Sequence, residues 1–273
     1  MLNDKASIEK LRWIMARLRD PETGCPWDVK QNFASITAHT IEEAYEVVDA
    51  IEQQDFVELE KELGDLLFQV IFYSQLGQEE ELFDFDQVVA AICEKLIRRH
   101  PHVFADKTLT TDAEIKANWE NEKAKERANK KAQENTISAI SVLADIPKNL
   151  PALSQAAKIQ KRCSHVGFDW DNMNDVFAKI EEEVVEVKEE LEAKEIDNAA
   201  LGEELGDLLF AVVNLCRHAK QDPETLLRQA NQKFTKRFHG VEAQVRESGK
   251  EFSAHDLEQL EQYWQQVKVR EKN

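Results

Sequence analysis

The sequence predicts an all-α fold built as two tandem helical bundles, and three observations carry that reading. Glycine and proline are scarce, eight and six in 273 residues, while Glu, Lys, Gln, Ala and Leu, which lose little on entering a helix, fill long stretches. Apolar residues recur at i, i+3 and i+4, with no convincing alternation of period two. The heptapeptide ELGDLLF occurs twice, at 62–68 and 204–210, 142 positions apart. The chain is therefore a duplication of one helical unit.

Taken in order, the repeat runs well beyond the heptapeptide. Pro26-Trp27-Asp28 matches Asp169-Trp170-Asp171. An acidic cluster follows in each half, Glu42-Glu43-x-x-Glu46 and Glu182-Glu183-x-x-Glu186. Ile180, Val184, Val187 and Leu191 mark the helix that carries the second of these. Leu59, Leu63, Leu66, Leu67, Val70 and Ile71 give the next helix in the first half; Leu201, Leu205, Leu208, Leu209, Val212 and Val213 repeat it. The gaps of 16 and 18 residues between acidic clusters let one helix end, turn, and a second return antiparallel. Further on, Lys95/Arg99 match Lys233/Arg237, and Trp119/Lys123 match Trp264/Lys268. Residues 10–126 thus correspond to 153–271, with an offset drifting between 138 and 145. The expected domains are 1–126 and 151–273. The charged run at 120–131 and the prolines at 147 and 151 make 127–150 the connector, its first part able to continue a helix.

Composition excludes several function classes. A formal charge of −18 repels a nucleic-acid backbone, so no nucleic acid polymer is expected as partner. No stretch approaches 18 apolar residues, and the first 15 residues hold no continuous apolar core of a signal sequence, so no membrane is expected. The four cysteines form no CxxC pair, which fits a reducing, cytoplasmic setting.

The chemistry lies in the carboxylates. Residues three and four apart share a helical face, so Glu183 and Glu186 point together with Glu182 beside them, and Glu204 and Asp207 do the same on the next helix. If the helices pack antiparallel, four carboxylates converge, and burying them together is costly unless they are protonated or bind metal. None of the seven histidines follows a Glu by three, which argues against a di-iron site and for a hard cation, Mg²⁺ or Mn²⁺. The bland alternative is a pair of solvated faces, with Thr40 opening a capping box onto Glu43. Duplication of both clusters favours the metal reading. Lys233/Arg237 and Trp264/Lys268 are i, i+4 pairs that suit phosphate oxygens and a stacked base, against ordinary surface ion pairs and a core Trp. Asn214, two turns beyond Asp207, makes either a ligand contact or a hydrogen bond inside the bundle; the latter is the commoner outcome.

The halves are not equivalent. Glu203 aligns with Lys61, a cation that would compete with metal, and Asn214 aligns with Phe72. The second half is the expected catalytic one. The first retains Glu43, Glu46, Glu62 and Asp65, with Lys95, Arg99, Trp119 and Lys123, as a second site, weakly active or structural.

The duplicated EExxE…ExxD arrangement, GCPWD at 24–28, RRHPHVF at 98–104, KRCxxVGFDW at 161–170 and WQQVK at 264–268 resemble the MazG family of nucleoside triphosphate pyrophosphohydrolases, in its full-length two-repeat form. The resemblance implies an all-α enzyme, a homodimer formed through its bundles, that converts nucleoside triphosphates to monophosphate and pyrophosphate. It implies Glu183, Glu186, Glu204 and Asp207 as Mg²⁺ ligands, and Lys179, Glu182, Glu203, Lys233, Arg237, Trp264 and Lys268 as nucleotide contacts, in an active second repeat. Ala200 stands where a relative can carry a Lys. The expected mechanism is attack of metal-activated water at the α-phosphorus, with Glu182 a candidate base. The competing readings are a non-catalytic nucleotide-sensing or protein-interaction scaffold, and a hydrolase that cuts at another phosphate.

Overall fold

The computed structural model describes residues 7–133, 141–144 and 146–271; among them there is no strand, and the chain divides into two compact units, Met1–Thr136 and Ile137–Asn273. The first unit holds α1 (Ile8–Leu18), α2 (Thr37–Gln53), α3 (Phe56–Glu79), α4 (Phe85–Arg99), the one-turn α5 (Pro101–Phe104) and α6 (Asp112–Gln133). The second holds α7 (Ala152–Ser164), α8 (Met173–Glu192), α9 (Asn198–His218), α10 (Pro223–Glu247) and α11 (Leu257–Arg270). The 127–150 connector begins as the end of α6; its residues 134–140 and 145 lie outside those described. No described helix is long and apolar enough to cross a membrane.

Each unit is built on a helical hairpin, α2–α3 and α8–α9, with α1 laid on α3 and α7 on α9. Helix α2 stops on Gln54 in the left-handed region (φ 58°), and Asp55 immediately caps α3 by accepting from the Val57 and Glu58 amides at 3.1 and 3.0 Å. In the second hairpin Asp197 caps α9 from the Ala199 amide at 2.8 Å. Helices α4 and α11 both open with an Asp/Gln capping box, Asp84/Gln87 and Asp256/Gln259. Gly240 lets α11 close on α10: a Cβ there would meet Val267 at 2.7 Å.

Thr40 is not a cap. Asn32 accepts from the Ala34 and Ser35 amides in a turn that starts α2 at Thr37, so Thr40 lies inside the helix and its hydroxyl donates to the Ile36 carbonyl at 3.2 Å. The apolar stripe of α3 also divides. Ile71 enters a core with Met15, Ile36, Phe72 and Leu76, whereas Leu63, Leu67 and Val70 stay exposed. Leu205, Leu209 and Val212 on α9 are exposed in the same way.

Candidate metal centre and adjoining cavity

The hairpin of the second unit brings three of the four expected carboxylates together. Glu183 and Glu186 on α8 and Glu204 on α9 each offer an oxygen, all within 4.8 Å of one another. Glu183 is buried (4% exposed), and Glu186 and Glu204 are half-buried. Burial first, then the charges of Glu183 and Glu204, raise the Glu186 carboxyl above its usual range. Burial first, then Glu183 and Asp207, raise Glu204. One oxygen of Glu183 pairs with the Lys179 ammonium at 2.8 Å, while its Oε2 is buried with no hydrogen-bond partner. Lys179 also reaches Glu182 at 2.9 Å, and its bonds to Glu183 and then Glu182 push its pKa up. Asp207 is exposed and outside the close group, near enough to act on Glu204; Glu182 and Glu203 are exposed at the rim. An unpartnered buried carboxylate oxygen within an all-oxygen cluster fits a hard divalent cation.

Beside this cluster lies a cavity of ≈ 370 Å³. Lys179, Glu183 and Asp207 line one part of it; Phe168, Trp170, Val176 and Phe210 supply apolar wall, and Gln160, Asp169, Asn214 and Arg217 polar wall. The loop bearing Phe168 and Trp170 turns at Gly167, whose φ of +84° an L side chain adopts only under strain. Asp169 accepts from Arg217 Nη1 at 2.9 Å and contacts His218 Nε2 at 3.0 Å. Burial raises the Asp169 carboxyl, but the bonds from Arg217 and then His218 outweigh it and leave its pKa lowered. Arg217 Nε in turn donates to Asn214 Oδ1 at 3.0 Å. Asn214 thus makes the bundle hydrogen bond expected of it and lines the cavity as well.

The remaining expected contacts gather elsewhere in the unit. The Arg237 guanidinium lies 5.9 Å from the Trp264 ring centre and bonds Glu271 at 2.8 Å; Trp264 packs on Phe234 at 5.0 Å. Lys233 on α10 is exposed and Lys268 on α11 half-buried, and none of Lys233, Arg237, Trp264 and Lys268 lines the cavity.

The first unit repeats the acidic geometry. Glu43, Glu46 and Glu62 offer oxygens within 4.8 Å of one another, and burial followed by the Asp65 charge raises Glu43. Lys61, the cation expected beside this cluster, pairs with Glu58 at 2.6 Å, one turn back along α3, and lies near enough to Glu62 to feel its charge. The difference lies beneath. Phe72 is 1% exposed in the core, edge-on to Phe68 at 5.9 Å and under the Arg19 guanidinium at 5.3 Å. Arg99 bonds Glu126 at 3.1 Å, Lys123 pairs with Glu120 at 2.8 Å, and Trp119 meets His100 at 5.5 Å, while Lys95 is half-buried. A groove of ≈ 880 Å³ in this unit, walled by Trp13, Ile71 and Phe85, touches none of its carboxylate cluster.

Sequence reasoning missed Gln160 and the Asp169–Arg217 pair as parts of a site. Arg217 left a faint signal, a polar residue one turn beyond Asn214 in an apolar run; Gln160 left none, because one Gln on an amphipathic helix reads as surface.

The MazG nucleotide pyrophosphohydrolase domain matches twice, at residues 31–104 and 172–245, and each match contains one carboxylate cluster. The chain belongs to the MazG family. It is 53% identical over 264 residues to the nucleoside triphosphate pyrophosphohydrolase of Escherichia coli strain K12, covering 97% of this chain and 98% of the relative. It is 41% identical over 261 residues to the nucleoside triphosphate pyrophosphohydrolase/pyrophosphatase MazG of Thermotoga maritima, covering 96% and 95%. The solved structure of a MazG-related protein from Thermotoga maritima aligns over 43% of this chain and 99% of its own, at 26% identity and a TM-score of 0.37. Both MazG matches end before the last helix of their units, so Trp119, Lys123, Trp264 and Lys268 fall outside them.

Proposed function

We propose that this MazG protein hydrolyses nucleoside triphosphates, ribo- or deoxyribo-, to the monophosphate and pyrophosphate in its second repeat. The observation that carries the reading is the Glu183–Glu186–Glu204 cluster opening on a cavity, in a chain 53% identical to a nucleoside triphosphate pyrophosphohydrolase. Glu183, Glu186 and Glu204, joined by Asp207, would hold Mg²⁺ or Mn²⁺. Bound there, the ion supplies charge neutralisation for the triphosphate and acidifies a coordinated water.

The side chains do the rest. Water adds at the α-phosphorus, the bond to the bridging oxygen breaks, and pyrophosphate departs with its electron pair. Glu182, exposed and paired with Lys179 at 2.9 Å, is the candidate to take the water proton. Lys179 is free to turn from Glu183 to a phosphate oxygen once another cation neutralises the carboxylates. Lys233, Arg237 and Lys268 add positive charge from α10–α11, where Arg237 must first release Glu271. On this reading the enzyme is a cytoplasmic homodimer whose partner covers the exposed Leu205, Leu209 and Val212 stripe.

The test is a panel of NTPs and dNTPs with Mg²⁺ or with EDTA, products resolved by anion exchange. Monophosphate and pyrophosphate in equal amounts, lost with EDTA, are expected. Orthophosphate released without any pyrophosphatase present would sink the reaction as written.

A further inference from the structure

We propose that the cavity beside Glu183 is a nucleobase pocket, and that Gln160 and Asn214 read the Watson–Crick edge of the base. The inference rests on the second repeat being a triphosphate hydrolase and adds where the base goes and what selects it.

Gln160 on α7 is 7% exposed. Its Nε2 donates to the Phe210 carbonyl at 2.7 Å, which fixes which end of the amide is which. Its Oε1, facing the other way, is buried with no partner. Buried acceptors are nearly always satisfied, so an unsatisfied one on a residue that lines a cavity marks a place for a donor from outside the chain. Asn214 is 4% exposed, and its carbonyl is occupied by Arg217 at 3.0 and 2.8 Å. To a ligand it can therefore offer only amide N–H. Asp169 holds Arg217 in turn, so the whole arrangement is braced before anything binds.

The cavity presents one fixed acceptor and one fixed donor between apolar walls that include Phe168, Trp170 and Phe210. A flat ring bearing an N–H beside an acceptor complements it: the aromatic walls stack on the ring faces and the amides meet the edge. Nucleobases have that edge; the ribose and the phosphates do not. The triphosphate would then lie toward Lys179 and Glu183, which line the same cavity. In the first repeat the position of Asn214 is Phe72, an apolar ring buried among Met15, Ile36, Ile71 and Leu76 that offers no amide to a ligand.

The experiment compares kcat/KM of the full chain with Mg²⁺ for UTP and N3-methyl-UTP, and for GTP and N1-methyl-GTP, pairs in which a methyl replaces the ring N–H. Methylation is expected to lower kcat/KM at least ~10²-fold, because a site built to bond an N–H rejects the analogue that lacks it. In Gln160→Met, which keeps the length and loses the carbonyl, UTP and GTP turnover should fall mainly through KM, and the methyl penalty should shrink to about threefold or less. Equal turnover of parent and methylated nucleotides by the unaltered protein overturns the pocket assignment while leaving the triphosphate reaction standing. A penalty that persists undiminished in Gln160→Met removes Gln160 from the reading. No turnover of any triphosphate overturns the underlying reaction instead.

Discussion

Phe72 and Asn214 sit at the same point of duplicated helices, 142 residues apart, and each decides what lies beneath its carboxylate cluster. In the first repeat Phe72 is sealed among Met15, Ile36, Ile71 and Leu76. In the second, Asn214 turns its carbonyl to Arg217 and leaves a cavity of ≈ 370 Å³ open to Glu183. The three-glutamate geometry is common to both, so it does not distinguish a working site from a silent one. The partner of the cluster differs too. Lys179 binds both Glu182 and Glu183, whereas its counterpart in the first repeat, His39, makes one longer contact to Glu42 at 3.4 Å. On the proposed reading, the duplication has kept the metal-binding framework twice and the substrate space once.

The largest expected effect comes from moving the plug. Asn214→Phe should lower nucleotide turnover more than ~10²-fold, since a nucleotide displaced by even 1 Å loses that much. Metal-dependent stabilisation in a thermal melt should survive, because the carboxylates are untouched. Turnover near the parent's would show that the cavity is not where the substrate lies. The converse substitution acts on stability. Phe72→Ala empties a sealed core position and should cost ~3–5 kcal/mol in denaturant unfolding. Asn214→Ala, which leaves Arg217 still held by Asp169, should cost only about 1–3 kcal/mol. Equal costs would contradict the contrast between a filled and an open unit.

The smallest effect concerns pH. Hydrogen bonds from Arg99 and then Arg98 hold Glu126 down at about 2, below the unfolded value of 4.5. A depressed carboxylate stabilises the fold fully above its unfolded pKa, and that contribution is lost as pH falls through the folded one. Glu126→Gln should therefore differ from its parent near neutrality, by at most about 1 kcal/mol for so solvent-screened a group, and converge on it as pH approaches 2. A difference that stays constant from neutrality to acid would rule out the ion pair as its source.

The hairpins and the acidic clusters were legible because i, i+3 spacing fixes a face directly: Glu183, Glu186 and Glu204 meet as the pattern requires. The cavity was not. Its key contact joins Gln160 to a backbone carbonyl 50 residues away, and periodicity carries no trace of that. Lys61 aligned with a rim position, yet its side chain follows the nearest acid, Glu58, as an exposed i, i+3 pair does. Lys233, Arg237, Trp264 and Lys268 were legible as pairs on helices, but sequence spacing does not say which cluster a helix face meets. Arg237 in fact meets Glu271.

One paired measurement tests the account most directly. Glu183→Gln and Glu43→Gln each remove one charge from equivalent clusters while keeping side-chain shape, and kcat for a single triphosphate is read on both. The account predicts a loss of ~10²–10³-fold or more for Glu183→Gln, and turnover within about twofold of the parent for Glu43→Gln. Loss in Glu43→Gln with activity retained in Glu183→Gln would place the chemistry in the other repeat and contradict it.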